Sequence, residues 1–448
     1  MYIEQVTIKK IIHGGFGLCH LASGKVLLVP GGLPGEIIDA AMHTSEKNPL
    51  FGNIKRFIKP HNGRRTAPCK YYNSCGGCNL QHCDNPTQLT IKKEILHDLL
   101  LRSPEPGVRD AISLLQNPLP SPAEFGYRQR IRLQVDKQGS LGFRQFRSHT
   151  IVPVDRCIIA EEPINTSLDG LRHFADWYKL APLATEIELL LNPKSQTVVC
   201  LIHFIRKPRP SDIATANDIC NAVPSLDRIF FLGENFPIMG PYPIEEAGSG
   251  KNLRVRYDEA GSHSPPLHLQ WEAGGFCQVN LRQNNHLIDV VEKFCQISKE
   301  ETILDLYCGM GNFSILLGRK AKSVTGIEGQ GASIRCAKLN AQNDGLTNTR
   351  FIKSPIDSGC RNLLKNDELF DCVVLDPPRQ GIPGLAPDLA KLTGKRLIYI
   401  SCDPATLCRD LADLLRIGFS IKTIQPLDMF PQTHHIETVV LLEKTAAS

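Results

Sequence analysis

From about His268 onward, this 448-residue chain alternates short apolar runs with amphipathic helical stretches, and that alternation restricts its fold more than any other feature. Strands fit Thr302–Leu306, Ser323–Ile327, Cys372–Leu375, Arg396–Ile400 and Ile436–Leu442. Helices between them fit Leu281–Ile297, Asn312–Gly318, Gly331–Asp344 and Pro404–Arg416. The pattern predicts an α/β architecture with a doubly wound, Rossmann-like, mostly parallel sheet, whose ligands sit beyond the carboxyl ends of the strands. Three chemistry-bearing motifs fall at such ends.

The first is TILDLYCGMGNF, residues 302–313. An apolar strand ends in Asp305, and the chain turns through Gly309 and Gly311, where glycines let backbone approach a ligand closely. Twenty-three residues after Asp305, the run SVTGIE delivers Glu328, placed to accept hydrogen bonds from ribose hydroxyls. Ser314 occupies the last glycine position of a dinucleotide fingerprint, so a nucleoside without a pyrophosphate, S-adenosyl-L-methionine, fits better. The second motif, DCVVLDPPRQG (371–381), brings Asp376 to a strand end on a loop stiffened by Pro377 and Pro378. Amine methyltransferases carry an aromatic residue where this loop has Arg379, which argues against an exocyclic amine as methyl acceptor. The third, RLIYISCDPATLCRDL (396–411), sets Cys402 just before a helix beginning near Pro404. A helix N-terminus stabilises a thiolate, although Asp403 opposes that effect. Cys408, inside the helix, is assigned to packing. Near the end, DMFPQTHHIETVVLL (428–442) carries His434, His435 and Glu437; burial would raise Glu437 into the range of a general base. A surface carboxylate on an edge strand is the plainer alternative. The histidine pair has no third ligand at zinc spacing.

The front of the chain differs in charge. Residues 1–150 hold 20 basic and 11 acidic residues, the remainder 31 and 35, which suggests an anionic polymer held at the front and chemistry at the back. Residues 1–58 read as a small β-barrel of four or five strands: Ile3–Ile12, Leu27–Val29, Glu36–Ala41 and Asn53–Ile58, separated by glycine turns. A helix is predicted over Thr87–Arg102. Residues 121–260 read as mixed α/β, with loops at Pro208–Pro210 and Pro237–Gly250. The N-terminus MYIEQVTIKKIIHGG lacks the apolar core of a signal peptide, and no run of 18 apolar residues occurs, so a cytoplasmic protein without a membrane span is expected.

Sixteen cysteines in such a chain argue for metal or catalytic thiols rather than disulfides. CKYYNSCGGCNLQHC (69–83) spaces four of them as C-x5-C-x2-C-x4-C. Zinc and a [4Fe–4S] cluster both suit this density, and Cys83 completes a local four-thiolate set. Around it, Arg64, Arg65, Lys70, Tyr71 and Tyr72, with Arg128, Arg130, Arg132, Arg144 and Arg147, mix charge and aromatics as single-stranded RNA contacts do. A salt-bridged surface is the alternative for the arginines of YRQRIRLQV.

Taken in order, FCQVN (276–280), DLYCGMGNF (305–313), DPPRQG (376–381), SCDPATL (401–407) and HHIET (434–438) resemble the motifs of the RNA uracil-C5 methyltransferase family. The resemblance implies a class I methyltransferase domain over 266–448, a TRAM-like, OB-like RNA-binding barrel over 1–58, and a central α/β iron–sulfur domain over 59–265. It implies Cys402 as the nucleophile at uracil C6 and Glu437 as the base that removes the C5 proton. S-adenosyl-L-methionine is expected against Tyr307, Gly309 and Asn312, with Glu328 on its ribose; Gln278, Asp376 and Arg379 would hold uracil or cofactor. Family adenine contacts place a small polar residue where Pro355 stands, with Asp357 or a backbone group as its substitute. The resemblance prefers Cys69, Cys75, Cys78 and the distant Cys157 as ligands of a [4Fe–4S] cluster, leaving Cys83 unliganded. The branch with barrel and cluster acts on 23S rRNA; the same chemistry on tRNA, and a non-catalytic iron–sulfur RNA-binding protein, are the competing readings. No obligate protein partner is evident.

Overall fold

A computed structural model describes residues 2–43, 49–243, 252–257 and 266–445, with backbone alone for 252–257. The carboxyl half forms the expected doubly wound sheet, of seven strands: β1 (Thr302–Leu306), β2 (Ser323–Glu328), β3 (Thr349–Lys353), β4 (Phe370–Leu375), β5 (Thr393–Ser401), β6 (Phe419–Leu427) and β7 (Glu437–Lys444). Their order is β3-β2-β1-β4-β5-β7-β6. The first five run parallel, whereas β7 inserts antiparallel between β5 and β6. The strands carry near-continuous apolar runs because helices cover both faces of the sheet. Sequence periodicity missed β3 and β6 and the helices Ile356–Lys365 and Ala386–Leu392. Thr349–Lys353 and Phe419–Leu427 alternate with polar residues near the sheet edges, so neither reads as an apolar run.

At the amino end, six strands form one sheet that closes on itself. The stretch predicted as a single strand, Ile3–Ile12, breaks at Ile8 and Lys9 into Tyr2–Thr7, paired with Ile37–Met42, and Lys10–Ile12, paired with Phe16–His20. One continuous segment thus pairs with both ends of the sheet, as in a barrel. The interior is filled by Val6, Ile8, Cys19, Leu27, Val29, Ile38 and Met42.

Between these lies a second seven-stranded sheet, from Arg130–Val135 to Phe236–Tyr242, backed by the helices Glu162–His173 and Pro210–Ala222. Phe236–Tyr242 is a strand, not the beginning of a loop, because its residues pair with Leu226–Gly233; the rest of that predicted loop, 244–250, and the proposed domain boundary at 265 lie outside the described residues. Helix Asn85–Leu101 leaves the cysteine-rich segment and packs on the carboxyl-terminal sheet through Leu96 and Leu100. There Lys92, fully buried, pairs with the equally buried Asp428 and donates to the Phe430 carbonyl at 3.0 Å. No helix among the described residues is long and apolar enough to cross a membrane.

Removing one partner of a buried ion pair strands the other charge away from water. Asp428→Ala is therefore expected to cost about 3–5 kcal/mol in a guanidinium titration, and Lys92→Met combined with Asp428→Leu to recover most of that loss.

Candidate active site

Strand direction decides what meets at the carboxyl edge of the sheet. Ser401 pairs with Thr438 across the antiparallel β5–β7 ladder, so the next positions outward, Cys402 and Glu437, face one another. Side chains at such opposed positions lie about 5 Å apart at Cβ. Asp376 follows β4 directly and donates its backbone N–H to the Leu306 carbonyl at the end of β1. Glu437 is 3% exposed and its strand is flanked on both sides, so it is not the surface carboxylate of an edge strand.

Charge in this corner is concentrated and sparsely neutralised. Burial, then the nearby Asp376, pushes Glu437 well above the usual carboxylate range, while Arg379 pulls it down. Burial and Asp305 push Asp376 up to about 7. The two carboxyls therefore raise one another's hold on a proton. Burial, then Glu437 and Asp376, pushes the Cys402 thiol up to about 12, against the pull of Arg379. This corrects the expectation of a helix-stabilised thiolate. Asp403 takes the helix N–H groups itself, accepting from Ala405 at 3.1 Å and Thr406 at 2.9 Å, and leaves the thiol beside carboxylates.

The loop bearing Arg379 is held from beneath. Asp410 accepts from Ile382 N–H at 3.0 Å and from the Tyr399 hydroxyl at 2.5 Å, and Arg409 donates to the Gln380 carbonyl at 2.7 Å. A Cβ at Gly381 would stand 2.0 Å from Asp410, at a φ of +73°, so only glycine fits that turn.

The turn after β1 has room for a ligand. Gly309 and Gly311 adopt φ of +54° and +89°, and a Cβ at Gly309 would meet nothing within 4 Å. Tyr307 also takes a left-handed φ, 61°, which a bulky residue adopts only under constraint. Asp305 accepts from Ser314 Oγ, yet its Oδ1 is buried without a partner, an orphaned acceptor beneath the turn. Burial pushes its carboxyl up to about 7. Glu328 ends β2 and accepts from Gln330 N–H at 2.7 Å. Asn312 exchanges side-chain hydrogen bonds with buried Asn284 at 2.9 and 3.2 Å. Helix Ser314–Gly318 begins two residues later than predicted, leaving Asn312 in the turn. Gln278 is buried, and its carbonyl accepts from Gln129 of the central sheet at 2.5 Å. Asp357 lies in the first turn of helix Ile356–Lys365, whose N-cap is Pro355.

Cys69, Cys75, Cys78 and Cys157 line one cavity of about 170 Å³. Burial raises the Cys75 thiol to about 11 and that of Cys78 to about 12; Cys157 and its neighbours in the set raise them further, so their charged forms need a cation. Four thiolates on one zinc stand about 3.8 Å apart. Among the described residues, no three of these sulfurs lie within 4.8 Å of one another. Cys83 points elsewhere, buried beside Leu80 and Ile91, with its thiol donating to the Leu80 carbonyl. Among the described residues, the group that meets this 4.8 Å spacing, Glu186, Glu188 and His203, is already paired with Arg130 and Arg132.

Those pairs decide the arginine run: Arg130 and Arg132 form the salt-bridged surface, not free phosphate contacts. Arg64 is likewise held, on buried Glu36 at 2.5 Å, and Lys70 on Asp155. Arg147 differs: it lies over Phe16, Phe51 and Phe146, the last two 44% and 48% exposed, in a surface where barrel and central sheet adjoin. Residues that sequence reasoning passed over include Asp410, Gln129, Asn79 and Gln432; buried polar side chains leave no periodic signature.

Comparison with known proteins follows the same lines. The family described as tRNA (Uracil-5-)-methyltransferase matches residues 264–445. The chain is 31% identical over 447 residues to a 23S rRNA (uracil(1939)-C(5))-methyltransferase RlmD of Pseudomonas putida, covering 98% of this chain and 93% of that protein. A Vibrio cholerae protein of the same name is 32% identical, covering 98% and 96%. Among solved structures, the Pyrococcus abyssi tRNA (uracil-54, C5)-methyltransferase in complex with S-adenosyl-L-homocysteine superposes with a TM-score of 0.71 at 23% identity, covering 98% of this chain and 100% of that one.

A thiol raised to about 12 is almost wholly protonated at neutral pH. Alkylation of the Cys402 peptide by iodoacetamide, followed by mass spectrometry, should be slow at pH 7 and still climbing at pH 10. Glu437→Gln removes the larger of the two repelling charges, so the climb should begin at lower pH.

Proposed function

The chain belongs to the RNA uracil-C5 methyltransferase family, and from that premise we propose that it methylates C5 of a uridine in 23S rRNA, using S-adenosyl-L-methionine. The observation that carries this reading is the opposition of Cys402 and Glu437 across the β5–β7 ladder, with Asp376 and Arg379 beside them. The names of the near-full-length relatives favour the uridine equivalent to their 1939. A tRNA uridine is the second reading, favoured by the description of the matching family.

Uracil C5 is a weak nucleophile, and a covalent detour divides its methylation into easier steps. The Cys402 thiol gives up its proton to water and its sulfur bonds to C6, moving the C5–C6 π electrons onto O4. The methyl donor would supply an electrophilic carbon: C5 bonds to that methyl as the S–CH3 bond breaks, its electron pair staying on the departing neutral thioether. Glu437, drawn toward ionisation by Arg379, then accepts the C5 proton. As the C5–C6 double bond reforms, the S–C6 pair returns to Cys402. One proton leaves per methyl group transferred. Asp376 and Gln278 orient the uracil; Tyr307, Gly309 and Asn312 line the donor site, and Glu328 holds its ribose. A paired base cannot reach such a corner, so the uridine is flipped out or presented from a loop.

The barrel over 1–58 is read as TRAM-like and RNA-binding, 59–265 as the iron–sulfur unit and 266–448 as the methyltransferase, all acting in the cytoplasm. Cys69, Cys75, Cys78 and Cys157 would hold a [4Fe–4S] cluster that orders the RNA-contacting region.

RNA carrying 5-fluorouracil has no C5 proton to lose, so it should be trapped covalently on the enzyme. Cys402→Ala should abolish the trap and lower turnover by about a thousandfold or more. With ordinary RNA, Glu437→Gln should accumulate the methylated adduct instead of releasing it. Trapping by Cys402→Ala would falsify the mechanism, and 5-methyluridine lost only from tRNA in cells lacking the protein would select the second target. Iron and sulfide analysis of anaerobically purified protein should give about four of each per chain. Cys157→Ser should lose them and Cys83→Ser keep them.

A further inference from the structure

Residues 428–435 connect β6 to β7 and end just before Glu437. Gln432, in their middle, is 0% exposed and adopts a φ of 70°, a conformation that persists only where surroundings over-determine it. Every polar group it owns is engaged. Its N–H donates to Gln88 Oε1 at 2.9 Å, and its carbonyl accepts from the N–H groups of Asn79 at 3.1 Å and Leu80 at 3.0 Å. Its side-chain Oε1 accepts from Gln88 at 3.0 Å and Arg65 at 3.1 Å, while Nε2 donates to the Glu124 carbonyl at 3.3 Å. Two residues on, His434 N–H donates to Asn79 Oδ1 at 2.9 Å, and Asn79 Nδ2 meets His434 Nδ1 at 2.7 Å. Asn79 directly follows Cys78.

We propose that Gln432 is a positioning residue which, with Asn79, fixes the start of β7 to the cysteine loop and so sets the placement of Glu437. The cysteine segment reaches the chemistry through this contact, at two points within five residues of the base. Cys402 directly follows a different strand, β5, and stands outside the clamp. Loosening the clamp therefore impairs proton removal more than addition or methyl transfer. This rests on the reading of Glu437 as the base.

The test is single-turnover methylation of ordinary RNA with a radiolabelled methyl donor, following protein-bound and released methyl-RNA separately on denaturing gels. Gln432→Gly keeps the left-handed backbone while deleting the side-chain bonds; Asn79→Ala, at a half-buried position, serves if the first variant fails to fold. Iron content and thermal melting are measured alongside. Expected is methyl transfer within about threefold of the parent, release slowed by about tenfold or more, and an adduct that builds up as it does in Glu437→Gln, with iron content retained. Equal slowing of both steps, or no adduct in the variants while Glu437→Gln accumulates it, overturns the clamp and spares the base. No adduct in Glu437→Gln itself overturns the base reading, and the proposal with it.

Discussion

The reversal of one strand organises the catalytic corner. In a purely parallel sheet every strand begins at the edge remote from the ligands, and a residue opening the last strand would lie far from the chemistry. Here β7 runs against its neighbours β5 and β6, so its first residue lies at the carboxyl edge, opposite Cys402. Val439 and Leu441 pack on one face of the strand and Val440 and Leu442 on the other, so β7 is held between two apolar layers. The register that fills the core thus also sets the distance between thiol and carboxylate.

Bringing acidic groups and a thiol together in an enclosed site carries an electrostatic cost, which the protein meets mostly by protonation. Asp305, Asp376, Glu437 and Cys402 are all shifted upward by burial, and Arg379 opposes the shift of the last two. A site in this state is poised to move protons rather than to hold fixed charges, as general acid–base chemistry requires. The contrast with the central sheet is instructive: there burial pushes Glu188 up, but hydrogen bonding to His203 and the charges of Arg130 and Arg132 outweigh it and hold the carboxylate at about 2.

The cysteine segment is not an appendage. Its loop touches the barrel, the central sheet and the segment leading to Glu437: Gly76 N–H donates to the Arg144 carbonyl, and Asn79 lies against both Gly15 and His434. Helix Asn85–Leu101 then carries the buried Lys92–Asp428 pair into the same connection. Three sheets far apart in the chain therefore converge on about eight residues.

Periodicity and turn chemistry made the doubly wound sheet legible from the residues alone, because central strands are apolar throughout and their glycine turns are local. The motif residues Asp305, Asp376, Cys402 and Glu437 could be named for the same reason, each ending or opening an apolar run. What local sequence could not carry were relations between distant segments. Edge strands β3 and β6 lack an apolar run, the pairing of Arg130 and Arg132 depends on a strand fifty residues on, and Cys157 joins Cys69 only through the fold. The raised Cys402 thiol could not be read locally, since its helix terminus is adjacent in sequence while the burial and the Glu437 and Asp376 carboxyls that raise it come from the fold. Composition and spacing determined which groups are present; the antiparallel insertion of β7 decided which of them meet, because opposition across a ladder is a property of strand order and not of any single strand.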